Sequence, residues 1–70
     1  MNQVKITTEY ITLGQFLKYV NIIEKGSFAK SFLQEIRVLV NDEVETRRGR
    51  KIYPNYIITI PGKGQYLITK

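Results

Sequence analysis

Apolar side chains recur at helical spacing in the first half of the chain. Between residues 13 and 23 they fall three or four positions apart, as along the buried face of a helix. Thr12-Leu13-Gly14-Gln15 precedes most of them and matches a capping box, in which a threonine and a later glutamine satisfy each other's backbone N–H groups. The pattern predicts a first helix from Thr12 to about Ile23, with Gly26 as its left-handed cap. Its predicted buried residues are Leu13, Phe16, Leu17, Val20 and Ile23.

A second helix is predicted from Phe28 to about Ile36, with Ser27 as its N-cap. Its apolar face has the i, i+3, i+4, i+7 spacing of a core-facing helix. Its other face is polar, and this is either an ordinary solvated surface or part of a binding surface. The apolar face consists of Ala29, Phe32, Leu33 and Ile36, and the polar face of Ser27, Lys30, Gln34 and Arg37.

The remaining apolar segments are short, rich in β-branched residues and separated by turn residues, which predicts strands. Asn41-Asp42 fits the two-residue type I′ turn of a hairpin, and Pro54-Asn55 is a second turn. The segment 56–60 is apolar enough to be a central strand. We therefore predict an α+β fold in one domain, residues 1–70, with two N-terminal helices packed on a small, mostly antiparallel sheet. The predicted strands are 4–7, 38–40, 44–46, 51–53, 56–60 and 65–69.

Charge divides the chain at Thr46. Through that residue there are five basic and six acidic side chains, a net charge of −1, whereas from Arg47 onward there are six basic side chains and no acidic one, a net charge of +6. Four of those cations crowd into Arg47-Arg48-Gly49-Arg50-Lys51 and must stay on the surface, because like charges repel each other. One-sided charge is typical of proteins that bind nucleic acid or an anionic surface, although a basic surface can also serve solubility. The predicted partner is a polyanion.

The residue types needed for catalysis and metal binding are scarce. There is no histidine and no cysteine, which removes the usual acid–base group near neutral pH, the commonest metal ligand and any disulfide. Glu43 and Glu45 share one face of the predicted hairpin, and we interpret them as its solvated edge. We expect a binding module rather than an enzyme, with no cofactor and no metal.

No membrane segment is expected. No apolar run approaches the roughly 18 residues of a membrane span, and the first residues, Met1-Asn2-Gln3-Val4-Lys5, lack the apolar core of a signal peptide. We expect a cytoplasmic protein without a membrane partner.

Three features near the basic cluster each have a binding and a structural interpretation. Gly49 either forms a sharp turn that brings N–H groups close to phosphate or is a β-bulge. Tyr53 and Tyr56 can stack on unpaired bases, but such tyrosines more often close the edge of a small core. Ser27 can offer a hydroxyl to a phosphate, although its role as an N-cap is the better interpretation.

The order of these features resembles a known family. The S-four RNA-binding domain has the same order of elements as this chain. The order is a helix, a glycine-serine junction, a second helix, a Val-x-Val-Asn strand, a basic return segment and an apolar strand. That module is named after the fourth small-subunit ribosomal protein and recurs in pseudouridine synthases and tyrosyl-tRNA synthetases. The resemblance covers residues 12 to 60, and the chain looks particularly like the stand-alone bacterial subgroup called YaaA-like. It is carried by Leu13, Phe16-Leu17, Ala29-Lys30, Arg37-Val38-Leu39-Val40-Asn41 and Pro54-Asn55-Tyr56-Ile57-Ile58.

The chain departs from the family pattern at several positions. The pattern begins the first helix with Arg-Leu-Asp, where this chain has Thr12-Leu13-Gly14. It places an arginine before the serine of the second helix, where this chain has Gly26, a glycine where Ile36 stands and Asn-Gly where Asn41-Asp42 stands. Two customary RNA-facing charges are therefore absent, and binding must depend on the remaining cations.

The resemblance implies a module that binds structured RNA, either ribosomal RNA or tRNA, through the second helix and the basic segment after the hairpin. Ribosomal subunits are possible partners, and the oligomeric state is not predicted. The alternatives are a protein-interaction module with an acidic partner and, with less support, DNA or membrane-surface binding. The predicted RNA-binding residues are Ser27, Lys30, Gln34, Arg37, Arg47, Arg48, Arg50 and Lys51.

Overall fold

The computed structural model describes residues 1–70 and contains two short helices and seven short strands. Neither helix has the length and apolar character that crossing a bilayer requires. The helices are α1 (Leu13–Tyr19) and α2 (Ala29–Glu35), and a 3₁₀ turn, Gly26–Phe28, precedes α2. The strands are β1 (Asn2–Lys5), β2 (Ile11–Thr12), β3 (Leu39–Val40), β4 (Glu43–Val44), β5 (Lys51–Ile52), β6 (Ile57–Ile60) and β7 (Gly64–Thr69).

The strands form one five-stranded sheet and a separate two-stranded ribbon. In the sheet the order is β1-β7-β6-β3-β4, so β6 is the central strand, as its apolar sequence predicts. The β1–β7 pair is parallel and the other pairs in the sheet are antiparallel. β2 and β5 pair antiparallel in the separate ribbon. The predicted α+β class with a mostly antiparallel sheet is confirmed.

The helices and the sheet share one apolar core of 14 buried side chains. Phe16 of α1 lies edge-on to Tyr66 of β7, with their ring centroids 5.4 Å apart, so α1 packs directly on the sheet. Helices of seven residues are unstable alone in water, and this packing is what stabilises them. The largest fully buried side chains are Phe16, Leu13, Leu17, Ile52, Ile58, Ile60, Ile68, Val38 and Val40.

The first helix begins where it is predicted to begin. The Thr12 N–H donates to Gln15 Oε1 at 2.9 Å, and Thr12 Oγ1 accepts from the Gln15 N–H at 3.2 Å. These two bonds form the predicted capping box, which satisfies backbone N–H groups that have no partner inside the helix.

The first helix ends at Tyr19 rather than at Ile23. Asn21 adopts a left-handed conformation (φ 62°), its N–H donates to Lys18 O at 3.0 Å, and the Ile22 N–H donates to Leu17 O at 2.9 Å. These bonds form a Schellman ending, whose left-handed residue is usually glycine and sometimes, as here, asparagine. The predicted end was wrong because apolar residues continue to be buried after the helix has stopped.

The junction between the helices also differs from prediction. Gly26 is not left-handed and instead begins the 3₁₀ turn. Phe28 occupies the N-cap position of α2, and no side chain caps this helix, so the predicted capping role of Ser27 is wrong. The core-facing side of α2 is as predicted, with Ala29 and Leu33 buried and Phe32 and Ile36 packed against the core.

The hairpin turn is the predicted type. Val40 pairs with Glu43, and the two residues between them, Asn41 and Asp42, have φ values of 51° and 70°, as a type I′ turn requires. Asn41 also joins the turn to the central strand, because its N–H donates to Ile57 O at 2.8 Å and its Oδ1 accepts from the Ile57 N–H at 2.9 Å.

We expect Asn41→Ala to lower the free energy of unfolding by about 1–2 kcal/mol, because alanine loses the side-chain bond to β6 and is strained at a positive φ. Urea denaturation followed by circular dichroism measures this loss. Asp42→Ala is the matched control, since it carries similar strain without the bond to β6 and should cost less. Equal losses in the two variants would show that the Asn41 side chain contributes nothing to the anchoring of the hairpin.

Candidate nucleic-acid interface

The basic segment 47–52 is attached to the start of α1 rather than to the hairpin. The Leu13 N–H donates to Arg50 O at 2.8 Å, and the Gly14 N–H donates to Arg48 O at 2.9 Å. β2 continues this contact by pairing with β5. The backbone of the basic segment therefore satisfies the first N–H groups of the helix, which a helix cannot satisfy internally.

Gly14 is the point at which α1, α2 and the basic segment meet. A Cβ atom at this position would lie 3.4 Å from Ala29 Cβ and 3.4 Å from Arg48 O. Only a small residue fits here without displacing either neighbour. The glycine that weakens the first turn of α1 in isolation thus leaves room for both α2 and the basic segment beside α1.

Residues 47–50 form a tight turn. The Arg50 N–H donates to Arg47 O at 3.2 Å, and β4 has already ended at Val44. Gly49 therefore belongs to a turn and not to a β-bulge. We call residues 47–51 the basic loop.

A buried carboxylate holds the basic loop together. Glu45 is 6% exposed, so its interpretation as part of a solvated hairpin edge was wrong. Its Oε2 accepts from the backbone N–H groups of Thr46 and Arg47 and from Arg47 Nε, each at 3.0 Å. Its Oε1 accepts from Arg47 Nη2 at 3.0 Å and from Arg50 Nη1 at 2.9 Å. A buried charge is costly without partners, and these bonds supply them.

These contacts determine the ionisation of the group. The pKa of Glu45 is lowered from its ordinary value of 4.5 to about 2, mainly by the side-chain hydrogen bond from Arg47. Burial opposes this shift, whereas the Arg47 backbone N–H and the Arg50 side chain add to it. The same carboxylate raises the pKa of Arg47 and that of Arg50. All three groups are therefore charged at neutral pH, and the two arginines share one negative charge.

The cations of the basic loop face two shallow depressions. The first, which we call the tyrosine depression, has a volume of about 520 Å³. The second, which we call the helix-start groove, has a volume of about 370 Å³. Arg47, Gly49, Arg50, Lys51, Tyr53 and Tyr56 line the tyrosine depression, and Thr12, Gly14, Gln15, Lys18, Gly26, Arg48 and Gly49 line the helix-start groove.

The structure brings together only some of the predicted binding residues. The four cations of the basic loop line the two depressions, where Arg48 is not part of the Glu45 ion pairs. The four predicted residues on and around α2 are exposed but line neither depression; they are Ser27, Lys30, Gln34 and Arg37.

Sequence reasoning missed two residues of this surface. Lys18 lies in the last turn of α1 and lines the helix-start groove together with Arg48. Lys18 stands four residues after Gly14 and therefore lies on the same face of α1. This spacing is the sequence signal that could have identified Lys18 as part of the surface. Tyr10 lies in a loop without a motif, and its contact with Lys51, described below, depends on the β2–β5 pairing.

A larger cavity of about 780 Å³ lies on the other side of Tyr10, between residues 5–12 and the exposed side of α1. Lys5 is its only basic lining residue and Glu9 offsets that charge. Size alone therefore does not identify the candidate interface, which lies where positive charge collects.

Comparison with known proteins shows which family the chain belongs to. The sequence profile described as "S4 domain" matches residues 4–69. The chain belongs to the S4 domain family. This family is an RNA-binding one, and the chain is also similar to the "Probable ribosome maturation protein RlbA" of Bacillus subtilis (strain 168). The two are 51% identical over 67 residues, which cover 96% of this chain and 94% of that protein.

The helix-start groove contains two positions at which the chain departs from the pattern of the S4 domain family. Thr12 and Gly26 stand where the family pattern has arginines, and both residues line this groove. Lys18 and Arg48 line it as well. The positive charge here therefore comes from the last turn of α1 and from the basic loop.

We expect Glu45→Gln to lower the free energy of unfolding at pH 7 by about 1–3 kcal/mol, because the amide nitrogen would face donors and leave them unpaired. Since folding lowers the pKa of Glu45, its contribution is complete above about pH 4.5 and is lost as the pH falls toward 2. The difference in free energy of unfolding between the native protein and Glu45→Gln should therefore shrink as the pH falls from about 4.5 toward 2. Chemical denaturation at a series of pH values measures it.

Glu43→Gln is the matched control, because Glu43 is exposed on the same hairpin and makes no ion pair. It should leave stability nearly unchanged at every pH. An equal loss of unfolding free energy in Glu45→Gln and Glu43→Gln would show that the Glu45 hydrogen bonds do not stabilise the basic loop.

Proposed function

We propose that this protein binds structured RNA, either ribosomal RNA or tRNA, through the basic loop, the helix-start groove and the polar side of α2. The observation that carries the proposal is the basic loop itself, whose cations are placed by Glu45 and by the first N–H groups of α1. A folded, pre-positioned cationic surface suits a ligand whose phosphates are also fixed in space.

Arginine and lysine supply the contacts that such a ligand needs. The side chain of Arg47 is 72% exposed although it is bonded to Glu45, and that of Arg50 is 31% exposed. A planar guanidinium can engage two phosphate oxygens at once, and lysine acts as a point charge. Arg48 and Lys51 are outside the ion pairs with Glu45, so we assign them the strongest phosphate contacts.

We include the polar side of α2 in the proposed interface because its side chains are exposed and carry two further cations. Lys30 and Gln34 are exposed on one helix, and Arg37 follows two residues after its end. Ser27 lies in the 3₁₀ turn with its side chain free of a capping role. We propose that these residues contact phosphates or sugars beyond the helix-start groove, so that recognition depends on RNA shape more than on base identity.

A ribosome-related role is the natural setting for this binding. The similar Bacillus subtilis protein is named as a probable ribosome maturation protein. We propose that this chain acts as a binding protein, not as an enzyme, on ribosomal RNA or on ribosomal subunits in the cytoplasm.

The decisive experiment is RNA pull-down and sequencing with the native protein and two charge-matched variants. Arg48→Glu/Lys51→Glu changes the interface while leaving the Glu45 ion pairs intact. Lys63→Glu/Lys70→Glu makes the same change in net charge away from the basic loop, because Lys63 lies in the turn between β6 and β7 and Lys70 follows β7. We expect the native protein and the second variant to enrich the same structured RNA, and the first variant to lose it. Equal loss from both variants, or retention of only a nuclease-resistant protein partner, would overturn the proposal.

Salt dependence gives a second test on the purified protein and the enriched RNA. The logarithm of the association constant should fall linearly with the logarithm of salt concentration, because bound cations release counterions from the RNA. We expect Arg48→Ala to reduce the slope by about 0.7–0.9, the contribution of one phosphate contact. Fluorescence anisotropy at several salt concentrations measures the slope, and an unchanged slope would remove Arg48 from the interface.

A further inference from the structure

Three tyrosines from two chain segments meet beside the basic loop: Tyr10 precedes β2, and Tyr53 and Tyr56 belong to the turn between β5 and β6. The ring centroids of Tyr10 and Tyr53 are 5.6 Å apart, and those of Tyr53 and Tyr56 are 5.7 Å apart. The interplanar angles are 46° and 58°, so the rings form a tilted row rather than a parallel stack. Tyr56 stands just before β6, Tyr53 just after β5 and Tyr10 just before β2.

The hydrophobic core accounts for only one end of this row. Tyr56 packs against the core, as predicted for a residue that closes its edge, whereas Tyr10 and Tyr53 are not among the side chains that do so. Tyr10 is 36% exposed, and Tyr53 is half-buried and lines the tyrosine depression. The row therefore extends aromatic surface away from the core and toward the basic loop.

Cations lie against both ends of the row. Lys51 Nζ is 5.0 Å from the ring centroid of Tyr10, and Arg50 Cζ is 5.9 Å from that of Tyr56. Both distances fall within the range of a cation–π contact. Aromatic surface and phosphate-binding groups thus border the same depression, whose volume of about 520 Å³ is within the usual range for small-molecule sites.

We propose that the tyrosine depression receives one unpaired nucleotide of the bound RNA. Its base packs on Tyr53, and its phosphate lies against Arg50 or Lys51. Every base has an aromatic face, so this contact selects for an unpaired nucleotide rather than for a base sequence. This inference rests on the proposed function and specifies the kind of RNA that is bound. The preferred RNA is a paired stem that is interrupted by one unpaired nucleotide, next to the phosphates that Arg48 contacts.

The test compares two synthetic RNA hairpins that differ only in a single-adenosine bulge. We expect the native protein to bind the bulged hairpin about 5-fold or more tighter than the fully paired one, as the stacking of one base on an aromatic ring implies. Tyr53→Leu should remove this preference and leave the affinity for the fully paired hairpin unchanged, because the side chain of Tyr53 itself makes no phosphate contact. Tyr53→Phe should keep the preference.

Tyr19→Leu is the matched control, since Tyr19 is 64% exposed, does not line the tyrosine depression and, unlike Tyr10, has no ring contact with Tyr53. It should bind both hairpins as the native protein does. If circular dichroism shows that Tyr53→Leu is unfolded, Tyr10→Leu tests the same row of tyrosines at its most exposed ring. It should reduce the preference for the bulge.

A fluorescent base separates direct stacking from an indirect effect. With 2-aminopurine in place of the bulged adenosine, binding of the native protein and of Tyr53→Phe should quench the fluorescence, and binding of Tyr53→Leu should not. Equal affinity for the two hairpins, or quenching that survives Tyr53→Leu and Tyr10→Leu, would overturn the unpaired-nucleotide site and leave RNA binding standing. Failure of the folded native protein to bind either hairpin would overturn the proposed function as well.

Discussion

The basic loop depends on the burial of one carboxylate. Four cations within five residues repel one another, and no sheet pairing holds residues 47–50. Glu45 offsets this repulsion by accepting two backbone N–H groups and three guanidinium N–H groups. The carboxylate lowers the net charge of the surface by one and in return fixes the directions in which Arg47 and Arg50 point. A rigid cationic surface loses less entropy on binding a structured polyanion than a flexible one does.

The same segment that presents the cations also completes the fold. The carbonyl groups of Arg48 and Arg50 accept from the first N–H groups of α1, and β5 pairs with β2 immediately before that helix. A helix of seven residues needs such partners. The side chains of Arg48 and Lys51 can therefore be changed without breaking the Glu45 ion pairs, whereas changes to the loop backbone or to Glu45 would disturb the fold. Variants that reverse the charge of Arg47 or Arg50 would place a second carboxylate beside Glu45 and disturb the fold together with the interface.

Three of the departures from the family pattern, at Thr12, Gly14 and Gly26, lie in one place in three dimensions. Thr12 and Gly26, which replace arginines of the pattern, line a groove that also contains Lys18 and Arg48. Gly14, which replaces an aspartate of the pattern, leaves room for both Arg48 and Ala29 beside α1. The chain thus keeps positive charge at the start of α1 while drawing it from different positions. The same rearrangement makes the basic loop, rather than the second helix, the centre of the proposed interface.

Local sequence determined the elements whose signals are contained within a few residues. The capping box at Thr12, the type I′ turn at Asn41-Asp42 and the central apolar strand were all predictable, because neighbouring residues alone specify them. The family and the position of the basic cluster were also readable from the chain. The end of α1 is local as well, at the left-handed Asn21, although the continuing apolar spacing concealed it. Tertiary structure decided the burial of Glu45, the β2–β5 pairing and the meeting of Tyr10 with Tyr53. Each of these depends on segments that are brought together only by packing, and neither hydrophobic period nor charge count specifies which distant groups will become neighbours.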